Sequence, residues 1–590
     1  MNQKNQETKR IPKWIESRYL YLLGKFKEGN FDFDQAKNVL KEKYEDSESQ
    51  TKRVLFELQK VSRLNSKGSP KDKRVKIYNL VNILKEQTSN GNKIDTRSQL
   101  HSILKNAADL IRTRVDYTFI LLLLFYKAIS DRWVKEFEKK RQDLLQEGWK
   151  KEEAVPEAES PYYHTFNLPQ ELLWESLRKN PLKLAENLSK AMKKLGELNP
   201  DYKDIFTQFD FLQFTQNQEN NEILIQLFEL FSKYSFSEIE SDVLGDAYEW
   251  ILKYFAPSKA KEGEVYTPRE VIRLMVEILK PEPKKSVYDC SLGSGGMLIV
   301  SYQYVKEHYS PKEANTLFLY GQEYNHKTLA LAKMNMLLHD IKNHDLRQGD
   351  TLLFPKITTG NTIKKFNYTI ANPPWNQKSY GEENLKKAEY NWRFNLGYPS
   401  KQSADWAWIQ HMLASIKDDD GGKMAVIIDT GAVSRAGREK AIRAKAIEAD
   451  LVEAIILLPE KLFYNTGAPG LVIVFNKNKP KERKEKILLI NASKEFTPGK
   501  PQNTLSKENI KKIVEVYDKF KEAEGLSKII TLKEVIEVDY NLSPSRFVSA
   551  IEEEEYRPIG EITKELQETD EKRKKAEYSL KSILKKISFK

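Results

Sequence analysis

The stretch SVYDCSLGSGGMLIV, residues 286 to 300, is a short apolar run ending in Asp289, then a turn of small residues (Gly293, Ser294, Gly295, Gly296), then an apolar helix start. Glycines in such a turn let backbone approach a ligand closely, and turns from strand to helix at the carboxyl edge of a parallel sheet are where nucleosides bind. Taken alone, the segment is equally a tight turn. Its neighbours carry the argument: LFLYGQE at 317 to 323, YTIANPP at 368 to 374, MAVII at 424 to 428, LVEAIILL at 451 to 458 and GLVIVFN at 470 to 476 are further short apolar runs separated by helical segments. Continuous rather than alternating runs suit strands buried on both faces of a largely parallel sheet. The stretch from Leu279 to Asn476 therefore predicts a doubly wound, Rossmann-like α/β domain.

Three acidic positions stand out in this pattern, two at strand ends and one before a further strand. Asp289 ends the first, and Glu323 ends the second in GQEYN, where a carboxylate can accept two hydrogen bonds from ribose hydroxyls. Glu323 lies 34 residues on from Asp289, more than the roughly 20 of nicotinamide-binding folds, which argues against a dehydrogenase. Asp350, in Gly349-Asp350, could face an adenine amino group, although a surface turn explains it as well. The decisive string is Asn372-Pro373-Pro374-Trp375, directly after YTIA. Two consecutive prolines fix their φ angles, so the Asn372 side-chain amide and the Pro373 carbonyl can be held as paired acceptors for an exocyclic amine. Trp375 offers a flat face for an extruded base, a stacking worth about 1 to 3 kcal/mol.

In these strings the sequence resembles the amino N-methyltransferases that carry an Asn/Asp-Pro-Pro-aromatic signature, and more closely the modification subunit of type I DNA restriction-modification systems. Glu264-Val265-Tyr266-Thr267-Pro268-Arg269 matches that family's segment before the first strand. Asp289 with Ser294-Gly295-Gly296, and Gly321-Gln322-Glu323 with Met334-Asn335, match its cofactor stretches. Asp405-Trp406-Ala407-Trp408, Leu462-Phe463-Tyr464-Asn465-Thr466-Gly467 and Asn541-Leu542-Ser543-Pro544 are further matches. Upstream, Lys127-Ala128-Ile129-Ser130-Asp131 and Gly245-Asp246-Ala247-Tyr248-Glu249 are similar to its helical N-terminal domain. The resemblance spans about residues 95 to 590. It departs in two places: Cys290-Ser291-Leu292 replace the usual Pro-Ala-Cys, and Asn367 stands where Asp is common.

The resemblance implies S-adenosyl-L-methionine as cofactor and transfer of its methyl group to N6 of adenine in double-stranded DNA. It assigns Glu264 to Arg269 to the cofactor's methionine end, Asp289, Gly293, Ser294, Gly295 and Gly296 to the glycine motif, Glu323 to ribose and Asp350 to adenine. Asn372, Pro373, Pro374 and Trp375 are the catalytic group, with Asn372 also at the cofactor. Such catalysis rests on positioning rather than on a strong base or covalent nucleophile. The single cysteine, Cys290, is then a packed residue. The sequence holds no metal-ligand spacing and no Gly-x-x-x-x-Gly-Lys-Ser/Thr loop, so ATP hydrolysis belongs to another chain. Between Trp375 and Asp405 only 29 residues intervene, including Tyr390-Asn391-Trp392-Arg393-Phe394. That is too few for a recognition domain, so sequence reading is expected from a separate specificity subunit. The resemblance implies two modification subunits per specificity subunit and a restriction subunit as a further partner.

The remaining chain is read from pattern. A length of 590 residues predicts several domains,. The longest apolar run, Phe119 to Tyr126, is far short of a membrane span, and the amino terminus shows no signal sequence, which points to the cytoplasm. Residues 51 to 80 carry nine basic side chains against two acids. Three helical stretches before a Gly-Ser-Pro turn and an alternating RVKIYNL segment resemble a winged helix, with Lys52, Arg53, Lys60, Lys73 and Arg74 as candidate DNA contacts; a docking module with a solvated basic face is the other reading. The tail from Ile551 places Ile559, Ile562, Leu566, Leu580, Ile583 and Ile587 at helical spacing. The expected domains are thus 1–85, a winged-helix-like basic module; 95–255, helical; 256–500, the methyltransferase; and 501–590, a C-terminal helical region for partner docking. An inactive, regulatory methyltransferase-like scaffold, or an enzyme acting on protein glutamine or RNA, are the alternative functions.

Overall fold

The computed structural model describes residues 13–587 except 27–28, 61–63, 69–75, 81–91, 94–96, 112–115, 180, 207–209, 238, 240, 261–265, 420, 464–465, 501 and 550–558. At the amino end, α1 (Lys13–Phe26), α2 (Phe33–Tyr44) and α3 (Glu48–Lys60) enclose a small core of Ile15, Leu22, Phe31, Leu40, Val54 and Leu58. One capping box starts α2: the Asp32 carboxylate accepts from the Gln35 N–H, and the Gln35 side chain accepts from the Asp32 N–H,. A three-stranded antiparallel sheet, β1 (Phe31–Asp32), β3 (Lys76–Leu80) and β2 (Leu64–Gly68) in that order, completes the unit. Leu64 is buried at the start of β2.

A helical unit follows, built mainly from α4 (Arg97–Ile111), α5 (Thr118–Gln146), α6 (Leu184–Leu198), α7 (Gln218–Ser232) and α8 (Ser241–Ala260). Ile120 to Tyr126 are buried on every side of α5, as an all-round apolar helix requires,. No helix among the described residues is long and apolar enough to cross a membrane. The strands Asn92–Lys93 and Tyr234–Ser235 also pair, in parallel.

Residues 269 to 531 then build a nine-stranded sheet. Its strands are β4 (Ser286–Asp289), β5 (Phe318–Glu323), β6 (His344–Gln348), β7 (Tyr368–Ala371), β8 (Lys423–Asp429), β9 (Val452–Leu457), β10 (Gly470–Asn476), β11 (Lys486–Asn491) and β12 (Ser527–Thr531), in the order β12-β11-β9-β10-β8-β7-β4-β5-β6. One face carries α9 (Arg269–Leu279), α10 (Gly296–His308), α11 (His326–Leu338) and α14 (Lys507–Lys519); the other carries α12 (Asp405–Ser415) and α13 (Arg438–Glu448). Alternate strand residues serve the two cores, Val287, Ala425 and Ile427 on one side, Tyr288, Val426 and Ile428 on the other. The sheet is not wholly parallel: β10 runs antiparallel to both β8 and β9, and β12 antiparallel to β11. Every residue of β10 is buried, and a strand buried on both faces has the same apolar pattern in either direction, so periodicity cannot reveal its sense.

The sheet also claims residues expected in the docking region. β12 pairs with the core strand β11, and α14 packs against α9. Only from Ile559 does the chain form a separate element, the helix α15 (Ile559–Ile587).

Candidate active site

The order of strands reverses between β4 and β7, and the carboxyl ends of both strands meet there,. A cleft opens at this point, lined by Tyr266, Thr267 and Arg269, by Asp289 and the turn from Ser291 to Ser294, by Gly296, Met297 and Val300 of α10, by Ile272 of α9, by Asn372, and by Glu249 of the helical unit. Gly293, at φ +54°, would aim a Cβ into open space, whereas a Cβ on Gly295, at φ +84°, would press Met336 Cε at 3.0 Å. Backbone without side chain is what brings this turn close to a ligand.

The replaced residues of the glycine motif are accommodated by their neighbours. Leu292 fills the space above Gly321, where a Cβ would come within 2.7 Å of Leu292 Cδ1. Cys290 is buried, its carbonyl accepts from the Thr351 hydroxyl at 2.7 Å, and burial pushes its thiol well up, so it is not a nucleophile,. Asn367 joins two strands. Its Oδ1 accepts from the N–H and the hydroxyl of Ser286, at 3.1 and 3.0 Å, fastening the start of β7 to the start of β4.

Asp289 is 1 % exposed. Burial pushes its carboxyl up to about 8, opposed by one hydrogen bond from the Ser291 N–H and reinforced by the Glu323 charge. The folded protein therefore holds a proton there that the unfolded chain, titrating near 3.9, has lost. Stability must fall as pH rises from about 4 to 8. Asp289→Asn is expected to melt a few degrees higher than the parent at pH 8 without ligand, with the gap closing towards pH 5; parallel slopes of melting temperature against pH would contradict this titration.

The catalytic string is held from both ends. Asn372 Nδ2 donates to Thr267 Oγ1 at 2.8 Å, and Trp375 Nε1–H donates to Asn372 Oδ1 at 2.9 Å. The amide plane is thus set, with one lone pair of Oδ1 still available. Trp375 meets Phe463 edge to face at 5.0 Å, and Gly470 leaves room for both rings. Asn376, at φ +53°, gives its N–H to Asp405 Oδ1 at 2.9 Å. Arg435 locks that turn: it donates to Asp405 and Glu439 at 2.9 Å each, to Asp429 at 2.5 Å, and to Asn376 Oδ1.

The structure gathers Tyr266, Thr267, Arg269, Asp289, Gly293, Ser294, Gly296 and Asn372 around one cleft; Glu264 and Val265 lie outside the described residues. Pro268 caps α9, Gly295 caps α10, and Pro373 and Pro374 follow Asn372. Glu323 stands at the rim, accepting from the Gly293 and Asn325 N–H groups at 2.9 Å. Asp350 does not line the cleft: its carboxylate caps Leu352 and Leu353 N–H at 3.0 Å and accepts from the Tyr380 hydroxyl at 2.7 Å. Lys52, Arg53 and Lys60 belong to the N-terminal unit, and Lys73 and Arg74 lie outside the described residues. Sequence reading gave no site role to Glu249, Phe463 or Arg435. The Gly-Asp-Ala-Tyr-Glu segment holds the signal for the first: Glu249 and Asp246 both bind Arg269, and Tyr248 donates to the Leu331 carbonyl at 3.0 Å.

Comparison with known proteins agrees with this geometry. Residues 239–556 match the family model of N-6 DNA Methylase, and residues 100–231 match the HsdM N-terminal domain. The chain is 42% identical, over 97% of its own length and 97% of the relative's, to the type I restriction enzyme MjaVII methylase subunit of Methanocaldococcus jannaschii. It is 39% identical to the MjaVIII methylase subunit of the same organism, over 94% of each. Among solved structures, the type I restriction-modification system methyltransferase subunit from Streptococcus thermophilus superposes with a TM-score of 0.65 at 26% identity, covering 77% of this chain and 99% of that one.

Proposed function

Since the chain belongs to the N-6 DNA methylase family, as a type I restriction-modification methylase subunit that methylates adenine N6 in DNA, we propose that its cleft binds S-adenosyl-L-methionine and that Asn372 presents the target amine to it. The observation that carries this reading is the Asn372 amide, fixed between Thr267 and Trp375 at the edge of the cleft. The donor set suits the cofactor. Asp289 and Glu249 bring carboxyl oxygens and Arg269 a guanidinium to the cleft, acceptors for an amino group and donors for a carboxylate. Ile272, Leu292, Met297 and Val300 supply the apolar wall, and Glu323 at the rim is the candidate for the ribose hydroxyls. The Tyr266 to Arg269 segment is the candidate for the methionine end. When bound, the cofactor supplies an electrophilic methyl group.

The chain's own residues then need only position. Adenine flipped from the duplex stacks on Trp375 and gives its two N6–H groups to the free lone pair of Asn372 Oδ1 and to the Pro373 carbonyl. These hydrogen bonds draw the nitrogen lone pair out of conjugation with the ring and aim it at the methyl group; an N6 proton leaves to solvent. The chemistry is charge stabilisation and orientation in a partly dry cleft. The test is transfer of labelled methyl to duplex DNA by this chain with its co-expressed specificity subunit, Asn372→Ala serving as control. N6-methyladenine in the product, absent with the variant, is expected; a stable complex with bound cofactor and no transfer would overturn the reading.

The specificity subunit is the proposed occupant of α15. Positions 559, 562, 566, 569, 573, 576, 580, 583 and 587 alternate steps of three and four, and seven of the nine are Ile, Leu or Ala, the pattern of a coiled-coil seam. Leu566 and Leu580 are 70% and 57% exposed. Two such chains per specificity subunit, with a restriction subunit added, complete the proposed assembly. Leu566→Asp with Leu580→Asp is expected to abolish co-purification with the specificity subunit while cofactor binding by the isolated chain is unchanged. Undiminished co-purification would place the contact elsewhere.

A further inference from the structure

The N-terminal unit is divided by charge. From Lys13 to Ser47 it carries seven basic and seven acidic residues; from Glu48 to Leu80 it carries nine basic and three acidic. The neutral half faces the rest of the molecule, since α1 packs against the turn Pro181–Lys183 of the helical unit. In the basic half the five described cations, Lys52, Arg53, Lys60, Lys67 and Lys76, are all exposed. On α3, Thr51, Val54, Leu55 and Leu58 are buried, while Lys52, Arg53, Phe56 and Lys60 form an exposed stripe. Phe56 is 62% exposed, and the side chains of Lys52 and Lys60 are 64% and 55% exposed. The β2–β3 hairpin continues this surface. Gln59 Nε2 on α3 donates to Ser66 Oγ at 2.7 Å, Leu64, Tyr78 and Leu80 anchor the hairpin inside, and Lys67 and Lys76 are exposed on it.

We propose that α3 and the β2–β3 hairpin form a second contact with duplex DNA, separate from the methyl-transfer cleft, that grips the phosphate backbone irrespective of base sequence. A helix of this length with an adjoining basic hairpin fits a groove and the backbone beside it. Lys52 reaches Glu48 at 2.7 Å and Lys60 reaches Glu57 at 4.0 Å, but exposed pairs of this kind exchange readily for a denser row of charges. The one arginine of the stripe, Arg53, lies over the Trp14 ring at 5.2 Å, and the other cations are lysines, point charges suited to phosphates, so the contact is electrostatic. A protein partner fits less well, because interface centres are rich in apolar side chains and Phe56 stands alone among cations.

The experiment compares two charge reversals of equal size in the same unit: Lys52→Glu with Lys60→Glu on α3, and Lys41→Glu with Lys43→Glu on the exposed end of α2. Binding of the full chain, alone and in complex with the specificity subunit, to a fluorescent duplex of about 40 base pairs is followed from about 50 to 200 mM salt. The α3 pair is expected to weaken binding about tenfold at roughly 100 mM and to flatten the slope of log K against log salt by about two; the α2 pair should change affinity less than twofold. Lys52→Gln with Lys60→Gln, which places no acid beside Glu48 or Glu57, should show a smaller loss of the same kind if the α3 reversal fails to fold. Equal losses for the α2 and α3 pairs, or an unchanged salt slope, would overturn the proposal, as would loss of the specificity subunit at unchanged DNA affinity. Asn372→Ala should lose methyl transfer while keeping the parent's salt slope, so failure of the cleft reading is distinguishable from failure of this one.

Discussion

Replacing Asn372 with alanine is expected to lower the rate of methyl transfer by about 10²–10³-fold, the usual loss when one fixed partner of a developing charge is removed. The cofactor's affinity should fall far less, because Asn372 is one of fourteen residues lining the cleft. Two milder changes separate presentation of the amine from mere stacking. Trp375→Phe keeps a flat ring but removes the N–H that holds Asn372 Oδ1, and Thr267→Val removes the acceptor of Asn372 Nδ2. Each breaks one hydrogen bond, worth about 0.5–1.5 kcal/mol, so each should slow transfer roughly three- to tenfold, chiefly in kcat. Their effects should fall short of additive in the double variant, since both act through one amide. Single-turnover methyl transfer at saturating cofactor measures all four proteins. A Trp375→Phe enzyme with full kcat would show that the indole N–H does not orient the amide.

Arg435→Met carries the largest expected loss of stability. The Asp405 side chain is fully buried and that of Glu439 is 4 % exposed, and Arg435 is the cation between them. Burial already pushes the Glu439 carboxyl up against the pull of Arg435. Removing the guanidinium leaves two buried carboxylates without a counter-charge, a change that costs about 3–5 kcal/mol. That corresponds to a drop in melting temperature of roughly 10 °C for a domain of this size. The sign with pH follows. Without Arg435 the Glu439 carboxyl, already pushed up by burial, loses the charge that opposes that push and titrates further above its unfolded value near 4,, so the folded variant binds more protons than the unfolded one, and its deficit grows as pH rises above 4. The gap to the parent should therefore be smaller at pH 5 than at pH 8, and Glu439→Gln in the same chain should recover part of it. Methyl transfer should also fall, because Asn376, next to Trp375, loses its tie to Arg435. A pH-independent gap would mean that packing of the long side chain, rather than its charge, is what counts.

In the aromatic and basic segment 390–394 the one cation, Arg393, is 2 % exposed. It donates to the carbonyls of Thr351 and Leu352 and to His411 Nδ1, while His411 Nε2 meets the Tyr288 hydroxyl at 3.1 Å. Burial and then the Arg393 charge hold His411 well below its ordinary range, so it is a neutral acceptor. The cluster braces the loop after Asp350. A cation in a polar string carries no mark that distinguishes a solvated from a buried position, because the compensating groups here are backbone carbonyls from 41 and 42 residues away.

By itself the sequence determined what is local. Continuous apolar runs give strands buried on both faces, glycines at 293 to 296 give a turn that admits a ligand, and Asn-Pro-Pro-Trp after a strand gives a rigid pair of acceptors. Each depends on neighbours within a few residues, so a linear reading reaches it. Tertiary structure decided the rest. The direction of β10, the inclusion of β12 in the sheet, the tie of Asn372 to Thr267 and that of Arg435 to Asp405 arise from contacts across 30 to more than 100 residues. It also tied Asp350 to the Leu352 and Leu353 N–H groups and the Tyr380 hydroxyl, and exposed Lys52 and Lys60 while sinking Arg393. The physical reason is the same in each case: burial and hydrogen-bond partners, which set a polar group's charge and role, are properties of the packed chain and not of the residue.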